Sequence, residues 1–242
     1  MNQAGESAQN LLFDICKGIS DTDEVEVVVC PSFTVLSALD IPADCPVAKG
    51  AQDIHWEDKG TFTGEVSGPM IAEAGCKYAI VGHSERRWKL NEDNETVNEK
   101  FKAVLRNNIT PILCVGERLA DREDNRTNTF LEQQLTTAFE GVGQEDIESL
   151  VVAYEPVWAI GTGQIKSRAS AAPAIVAEAF QSIEKFLASQ GLADKTRLVY
   201  GGSVDADNAE DFVQLDQNQG FLVGGASLDA EQFVAIVKAF SK

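Results

Sequence analysis

Two residues that could move a proton follow short apolar runs at separate places in the chain. His83 comes directly after the run 78–82, and Glu155 comes directly after the run 149–154. Imidazole and carboxylate groups are common general acids and bases. Taken singly, a histidine is more often structural and a glutamate is usually solvated or salt-bridged. If both runs are strands of one sheet, however, the two residues indicate acid–base chemistry at the edge of that sheet.

Glycine-rich turns carry the second chemical signal. Gly201 and Gly202 precede Ser203, and Gly224 and Gly225 follow another apolar run. Glycine lets backbone N–H groups approach an oxyanion closely, and the N-terminus of a following helix adds partial positive charge. A pair of glycines alone is usually only a turn. Combined with the acid–base pair, these turns predict a small phosphorylated substrate.

Seven β-branched runs alternate with helical patterns and would position these groups. The runs lie at 25–31, 47–52, 78–83, 110–116, 149–156, 197–202 and 220–225, and the longer helical patterns lie near 95–108, 127–139, 171–190 and 229–240. This alternation predicts an α/β fold with a parallel sheet covered by helices, in a single domain over residues 1–242. An amphipathic helix around 8–19 precedes the first run and has no strand of its own. In such folds function gathers at the carboxyl ends of the strands.

The composition excludes several classes of partner. Hydrophobic residues make up 44% of the 242 residues, enough for a sizeable core, and 20 basic against 38 acidic residues give a net charge of −18. This charge repels nucleic acid and anionic membrane surfaces, so we expect neither as a partner. No apolar stretch approaches the ~20 residues that cross a bilayer. We therefore expect a cytoplasmic protein.

The cysteines predict neither a metal site nor a disulfide framework. Cys16, Cys30, Cys45, Cys76 and Cys114 are odd in number and scattered. They form no CxxC pair and no Cys/His cluster with the spacing of metal ligands. A reduced protein with buried thiols is the interpretation that this pattern favours.

Five longer segments are more specific than any single residue. They are FTGE at 62–65, VGHSERR at 81–87, AYEPVWAIGTG at 153–163, YGGSV at 200–204 and LVGGASL at 222–228. Together they resemble the triosephosphate isomerase family. The resemblance implies a TIM (β/α)8 barrel that interconverts dihydroxyacetone phosphate and D-glyceraldehyde 3-phosphate through an enediol, without metal or organic cofactor.

The resemblance also implies roles for particular residues. Glu155 would remove the carbon-bound proton, His83 would polarise the carbonyl and move protons between the two oxygens, and Glu85 would be the carboxylate that partners an active-site lysine. The phosphate would be held by Gly161, Ser203, Gly224 and Gly225. A closing lid would comprise Pro156, Val157, Trp158, Ala159, Ile160, Gly161 and Thr162.

The stretch 52–65 resembles a protruding loop that docks into a second copy of the chain. On this resemblance Phe62 and Thr63 contact the partner, and a homodimer is expected. Ordinary loop packing is the alternative interpretation of the aromatic side chains in this stretch.

The chain departs from the family pattern in two places. The segment 164–173 is longer than the family's usual connection after the lid. The family's first strand ends in Asn-x-Lys, and that lysine would immediately precede Met1, so we expect strand 1 to be missing and seven parallel strands to remain. None of Lys17, Lys49 and Lys59 replaces the lysine. Because one preorganised donor is worth roughly 10²–10³ in rate, and unpaired strand edges are unfavourable, we expect the 242-residue chain to be poorly stable and nearly inactive.

Two other functions stay open. A catalytically dead barrel could bind a phosphate ligand or a partner protein, although such a module would not need the base Glu155. A different phosphate-handling barrel enzyme, such as an aldolase, would need a Schiff-base lysine near the end of a strand, and none of the predicted strands provides one.

Overall fold

Six parallel strands form one sheet in the order of the chain in the computed structural model of this protein. The structure describes residues 2–20, 22, 24–160 and 170–241. The strands, β1 to β6, are Val27–Val29, Val47–Ala51, Tyr78–Val81, Thr110–Val115, Leu150–Tyr154 and Thr196–Tyr200. Each strand pairs with its neighbours in sequence. This order is that of the wall of an α/β barrel, and it brings the carboxyl ends of the strands to one side.

The described residues form ten α-helices. These helices, α1 to α10, are Gly5–Gly18, Phe33–Leu36, Gly68–Glu73, Ser84–Lys89, Asn94–Arg106, Leu119–Glu123, Thr127–Ala138, Pro173–Ser189, Ala209–Val213 and Ala230–Ala239. The long helices α5, α7, α8 and α10 lie within two residues of their predicted bounds. The helices α3 and α6 were not predicted, because each is too short to show a helical period. No helix in the described ranges is long and apolar enough to cross a membrane.

The prediction of seven strands is wrong, because the run 220–225 does not form a strand. Phe221 makes only an isolated parallel bridge to Tyr200. Around it, the Tyr200 N–H donates to the Gly220 carbonyl at 3.0 Å, and the Leu222 N–H donates to the Tyr200 carbonyl at 2.9 Å. The chain then turns into a short 3-10 helix, Gly225–Leu228, before a longer ladder can form. At the other end of the sheet, residues 2–4 ahead of α1 belong to no strand.

Alternating side chains divide the strands between two apolar layers. One layer contains Tyr78, Ile80, Ile112, Cys114, Val151, Ala153 and Val199. The other lies against the helices and contains Ala79, Val81, Leu113, Val115, Val152, Tyr154, Leu198 and Tyr200. Successive strand residues point to opposite faces, so a strand covered on both faces must be apolar throughout. This requirement explains why the predicted strands read as continuous apolar runs.

The first helix packs between the segment after β1 and the last helix. Leu12 of α1 shares an apolar cluster with Val35 of α2 and Val237 of α10. Gly18 approaches α10 so closely that a Cβ at this position would overlap the methyl groups of Val234. The two ends of the described chain are therefore in direct contact through α1 and α10.

The prediction that all five cysteines are reduced is wrong. Cys16 in α1 and Cys45 ahead of β2 form a disulfide, while Cys30, Cys76 and Cys114 are free. The fold brings the two Cα atoms to 5.3 Å across a sequence separation of 29 residues. Because the pairing depends on how α1 docks, no local spacing in the sequence marks it.

Candidate active site

His83 and Glu155 meet at the carboxyl ends of β3 and β5. The Nε2 atom of His83 lies 3.0 Å from Oε1 of Glu155. The other carboxylate oxygen, Oε2, accepts the Ser84 N–H at 2.7 Å. The Glu155 backbone N–H in turn donates to the Val115 carbonyl of β4 at 2.8 Å. The sheet therefore brings together the acid–base pair that the sequence predicts.

The start of α4 orients the imidazole. His83 is the N-cap residue of α4, and its Nδ1 accepts the Glu85 N–H at 3.3 Å. An N-cap side chain satisfies an N–H group of the first helical turn. In a neutral imidazole one ring nitrogen accepts and the other donates. The Nε2–H is therefore directed at Glu155 and at the space in front of it.

Two influences act on the protonation of His83 in opposite directions. Burial disfavours the imidazolium, whereas the charge of Glu155 and the hydrogen bond to it, helped by Glu85, raise the pKa of His83 above its ordinary value. The Glu155 side chain is only 2% exposed, and that of His83 is 29% exposed. Solvent, and hence a substrate, reaches the pair from the histidine side.

Two glycines pack closely against Glu155. A Cβ at Gly116 would overlap the Glu155 carbonyl, and one at Gly201 would lie 2.9 Å from the Glu155 Cγ. The fully buried Cys114 lies beside the carboxylate, and burial, followed by the charge of Glu155, raises the pKa of Cys114 well above its ordinary range. Because the thiolate is the reactive form, Cys114 is a packing group and not a nucleophile.

The buried carboxylate of Glu117 binds the beginning of the predicted lid. The lid begins with a short 3-10 helix, Val157–Ala159. The Trp158 indole N–H donates to Glu117 Oε1 at 2.9 Å, and the Tyr154 hydroxyl donates to both oxygens of Glu117 at 3.1 and 3.2 Å. In the sequence Glu117 is marked only by its position after β4. Its contacts with the lid emerge only from the fold.

The other predicted lid residues follow the same segment. Pro156 and Ala159 are buried, and Val157, Trp158 and Ile160 are partly buried. Gly161 and Thr162 lie outside the described residues, and so does 164–169, the main part of the segment that departs from the family pattern.

The predicted phosphate-binding residues line open backbone turns. Ser203 is partly buried after β6, and Gly224 and Gly225 are exposed beyond the Phe221 bridge. Within the described ranges no acceptor is bonded to the N–H of Gly224 or Gly225, and no atom lies within 4 Å of a Cβ built at either residue. Free N–H donors beside open space are what a bound oxyanion needs.

Glu85 contacts His83 through its backbone N–H, whereas its side chain pairs with a lysine of its own helix. Its carboxylate, 58% exposed, binds Lys89 one helical turn away at 2.6 Å. The hydrogen bond from Lys89 lowers the pKa of Glu85, although partial burial opposes it. The predicted role of Glu85 in the site stays a prediction. Across the described part of the chain, no cluster of three or more His, Cys, Asp or Glu side chains could hold a metal ion.

The loop that carries Phe62 and Thr63 stands out from the surface. Residues 57–65 are all exposed, and the Phe62 ring, 42% exposed, lies 4.3 Å from the ring of His55. Arg106 of α5 holds Asp58 of this loop at 3.1 Å. The ion pair between Arg106 and Asp58 thus fixes the loop to α5, while Phe62 and Thr63 are exposed to solvent.

The parallel sheet and the acid–base pair at its carboxyl edge define an enzyme of the α/β-barrel class. A family model described as triosephosphate isomerase matches residues 1–240 of the chain. The chain belongs to the triosephosphate isomerase family.

Individual relatives agree over almost their whole lengths. The chain is 43% identical over 238 residues to triosephosphate isomerase of Alkaliphilus oremlandii, covering 98% of this chain and 95% of the relative. It is 44% identical over 240 residues to that of Moorella thermoacetica, covering 98% and 94%. The crystal structure of triosephosphate isomerase from Bartonella henselae superposes with a TM-score of 0.86 at 35% identity, covering 100% of this chain and 96% of that one. The expectation of a missing first strand receives no support from these matches.

Proposed function

We propose that the protein is a triosephosphate isomerase that interconverts dihydroxyacetone phosphate and D-glyceraldehyde 3-phosphate. The observation that carries the proposal is the 3.0 Å contact between His83 Nε2 and Glu155 Oε1 at the carboxyl ends of β3 and β5. A carboxylate base and an imidazole donor on one side of a small substrate suit proton transfer between adjacent carbons. Membership of the family supports the choice of substrate.

The reaction would begin when the substrate carbonyl replaces Glu155 as the acceptor of the His83 Nε2–H. The freed Glu155 carboxylate takes a proton from the carbon beside the carbonyl. The electron pair of that C–H bond forms the C=C bond of an enediol, and the carbonyl oxygen receives a proton from His83. The hydroxyl on the first carbon then gives its proton to His83 as its oxygen becomes the new carbonyl. At the same time the proton held by Glu155 passes to the neighbouring carbon, so the isomerisation ends with both side chains in their starting protonation states and with no net gain or loss of electrons.

The remaining predicted residues would bind and enclose the substrate. Ser203, Gly224, Gly225 and Gly161 would hold the phosphate through backbone donors. The lid, residues 156–162, would exclude water from the enediol and so limit elimination of phosphate. Glu117 would hold the first turn of the lid in place through Trp158.

Replacing Trp158 with phenylalanine tests this anchor. The change removes the indole N–H and leaves the Tyr154–Glu117 hydrogen bonds in place, so we expect the free energy of unfolding to fall by about 1–3 kcal/mol. Urea unfolding measures this change, and steady-state kinetics should show a lower kcat. Trp88→Phe is the matched control, because Trp88 stacks on Phe130 at the surface and does not contact Glu117. Equal effects of the two substitutions would contradict the anchor.

We further propose that the protein is a cytoplasmic homodimer in which the exposed loop 57–65 contacts the partner. Replacing Thr63 with arginine should convert the dimer to a monomer, because it places a charge in the contact without altering Phe62 or its contact with the His55 ring. Sedimentation velocity measures the mass, and Thr129→Arg on the exposed surface of α7 is the control. A wild-type protein that sediments as a monomer would contradict the proposed dimer.

The activity itself is tested by incubating the purified 242-residue chain with dihydroxyacetone phosphate and measuring formation of glyceraldehyde 3-phosphate. Turnover that is lost in the Glu155→Gln variant supports the proposal. Binding of substrate without any turnover would instead favour a phosphate-binding barrel that is not an enzyme. The low activity expected from the sequence stays a prediction, and turnover at the level of the relatives would show that it is wrong.

A further inference from the structure

Two links, which we call ties, connect α1 to the segment between α2 and β2: a disulfide and a pair of hydrogen bonds. One is the Cys16–Cys45 disulfide. The other is Gln9, whose amide donates to the Asp40 carbonyl at 2.6 Å and accepts the Asp40 N–H at 2.9 Å. Gln9 and Cys16 are about two helical turns apart, so they lie on the same face of α1. The segment 40–45 therefore crosses one face of α1 and is bonded to it at both ends.

Apolar packing alone does not hold the whole of α1. An open groove of about 290 Å³ separates the first turns of α1 from α2, between residues such as Glu6 and Asn10 on one side and Thr34 and Ala38 on the other. The most deeply buried side chains of α1, Leu12 and Ile15, lie farther along the helix. The position of α1 thus depends on the two ties as well as on its apolar contacts.

We propose that Cys16 and Cys45 form a reversible redox site, a clip that holds α1 to the segment 40–45 when oxidised and releases it when reduced. A dithiol reductant opens the clip. Its thiolate attacks one sulfur and the S–S bond breaks. Its second thiol then completes the exchange, so that two electrons and two protons pass to Cys16 and Cys45 while the reductant becomes a disulfide. Both cysteines are partly exposed, so a small dithiol reaches them.

The free cysteines do not compete with this pair. Burial raises the pKa of Cys30 to about 12. Burial also raises the pKa values of Cys76 and Cys114. Thiol–disulfide exchange requires a thiolate, so these three groups are unreactive at neutral pH. Reduction therefore changes one pair only.

The clip is connected to the catalytic side of the sheet through α10. Gly18 of α1 lies directly against Val234 of α10. The helix α10 starts at Ala230, shortly after the open turn at Gly224 and Gly225. Release of α1 should therefore loosen α10 and weaken phosphate binding at that turn, a consequence that rests on the proposed function.

Alkylation followed by mass spectrometry, thermal unfolding and amide hydrogen exchange test the clip without any assay of activity. Protein treated with oxidised glutathione and then unfolded in guanidinium chloride for alkylation should contain three alkylatable thiols, and prior treatment with dithiothreitol should raise the number to five. Reduction should lower Tm by roughly 5–15 °C and reduce exchange protection in α1, while protection in α5 is unchanged. The Cys16→Ala/Cys45→Ala double variant should start at the lower Tm and show no response to dithiothreitol. Gln9→Ala, which removes the second tie, should destabilise the reduced protein more than the oxidised one.

Two results would overturn the proposal. One is five alkylatable thiols after oxidation, because the clip would then not form. The other is a disulfide whose reduction leaves Tm and the exchange of α1 unchanged. If the protein is active, a higher KM with an unchanged kcat on reduction supports the link to the phosphate turn. Failure of the isomerase assay would leave the thiol count, Tm and exchange results standing.

Discussion

Replacing Glu155 with glutamine should lower kcat by about 10²–10⁴, the usual contribution of a positioned general base. The amide has the size of the carboxylate and can still accept the Ser84 N–H, but it cannot take a proton from carbon. KM should change little, because the phosphate contacts are made elsewhere. Steady-state kinetics in both directions measure the effect, with urea unfolding to show that the variant is folded.

The control for Glu155 is a glutamate of the same charge away from the strand ends. Glu184→Gln lies on the exposed surface of α8 and should leave kcat unchanged. Retention of kcat within tenfold in Glu155→Gln would remove Glu155 from the role of base. The proposed mechanism would then fail, whatever the activity of the wild-type chain.

Replacing His83 with glutamine should lower kcat by about 10²–10³, the typical loss when one donor to a developing oxyanion is removed. The amide can donate a hydrogen bond but cannot exchange a proton between the two substrate oxygens. The same steady-state measurements give the result. A kcat within a few-fold of wild type would show that the imidazole neither polarises the carbonyl nor moves protons.

His83 also predicts a pH dependence of stability. Burial lowers its pKa in the folded protein, but the charge of Glu155, the hydrogen bond to Glu155 and the charge of Glu85 together raise it above the ordinary value. A raised pKa stabilises the fold fully below the unfolded value of about 6.5, and this contribution is lost as the pH rises through the folded pKa. The difference in unfolding free energy between wild type and His83→Gln should therefore be larger at pH 6 than at pH 9. In a Glu155→Gln background this difference should disappear or change sign, because burial lowers the pKa of His83 when the charge of Glu155 no longer opposes it. A difference that stays larger at pH 6 in that background would assign the raised pKa to another group.

Local patterns were sufficient to predict most of the elements. The runs at 78–83, 110–116 and 149–156 contain the strands β3, β4 and β5, because a strand buried on both faces must be apolar at every position. The long helices could be predicted because their apolar residues recur with the helical period. Weak local signals explain the errors: α3 and α6 are too short to show a period, and the run 220–225 resembles a strand although only Phe221 is bridged.

The sequence by itself determined the family, the order of strands and helices, and the positions of His83, Glu155 and Gly224 at strand ends or turns. Only the tertiary structure decided which of these groups touch. The contact between His83 and Glu155, the anchoring of Trp158 by Glu117 and the Cys16–Cys45 disulfide all join residues far apart in sequence. Residue type and period are local properties of the chain. Distances across the sheet depend on how every intervening strand and helix packs, so they become defined only when the fold is complete.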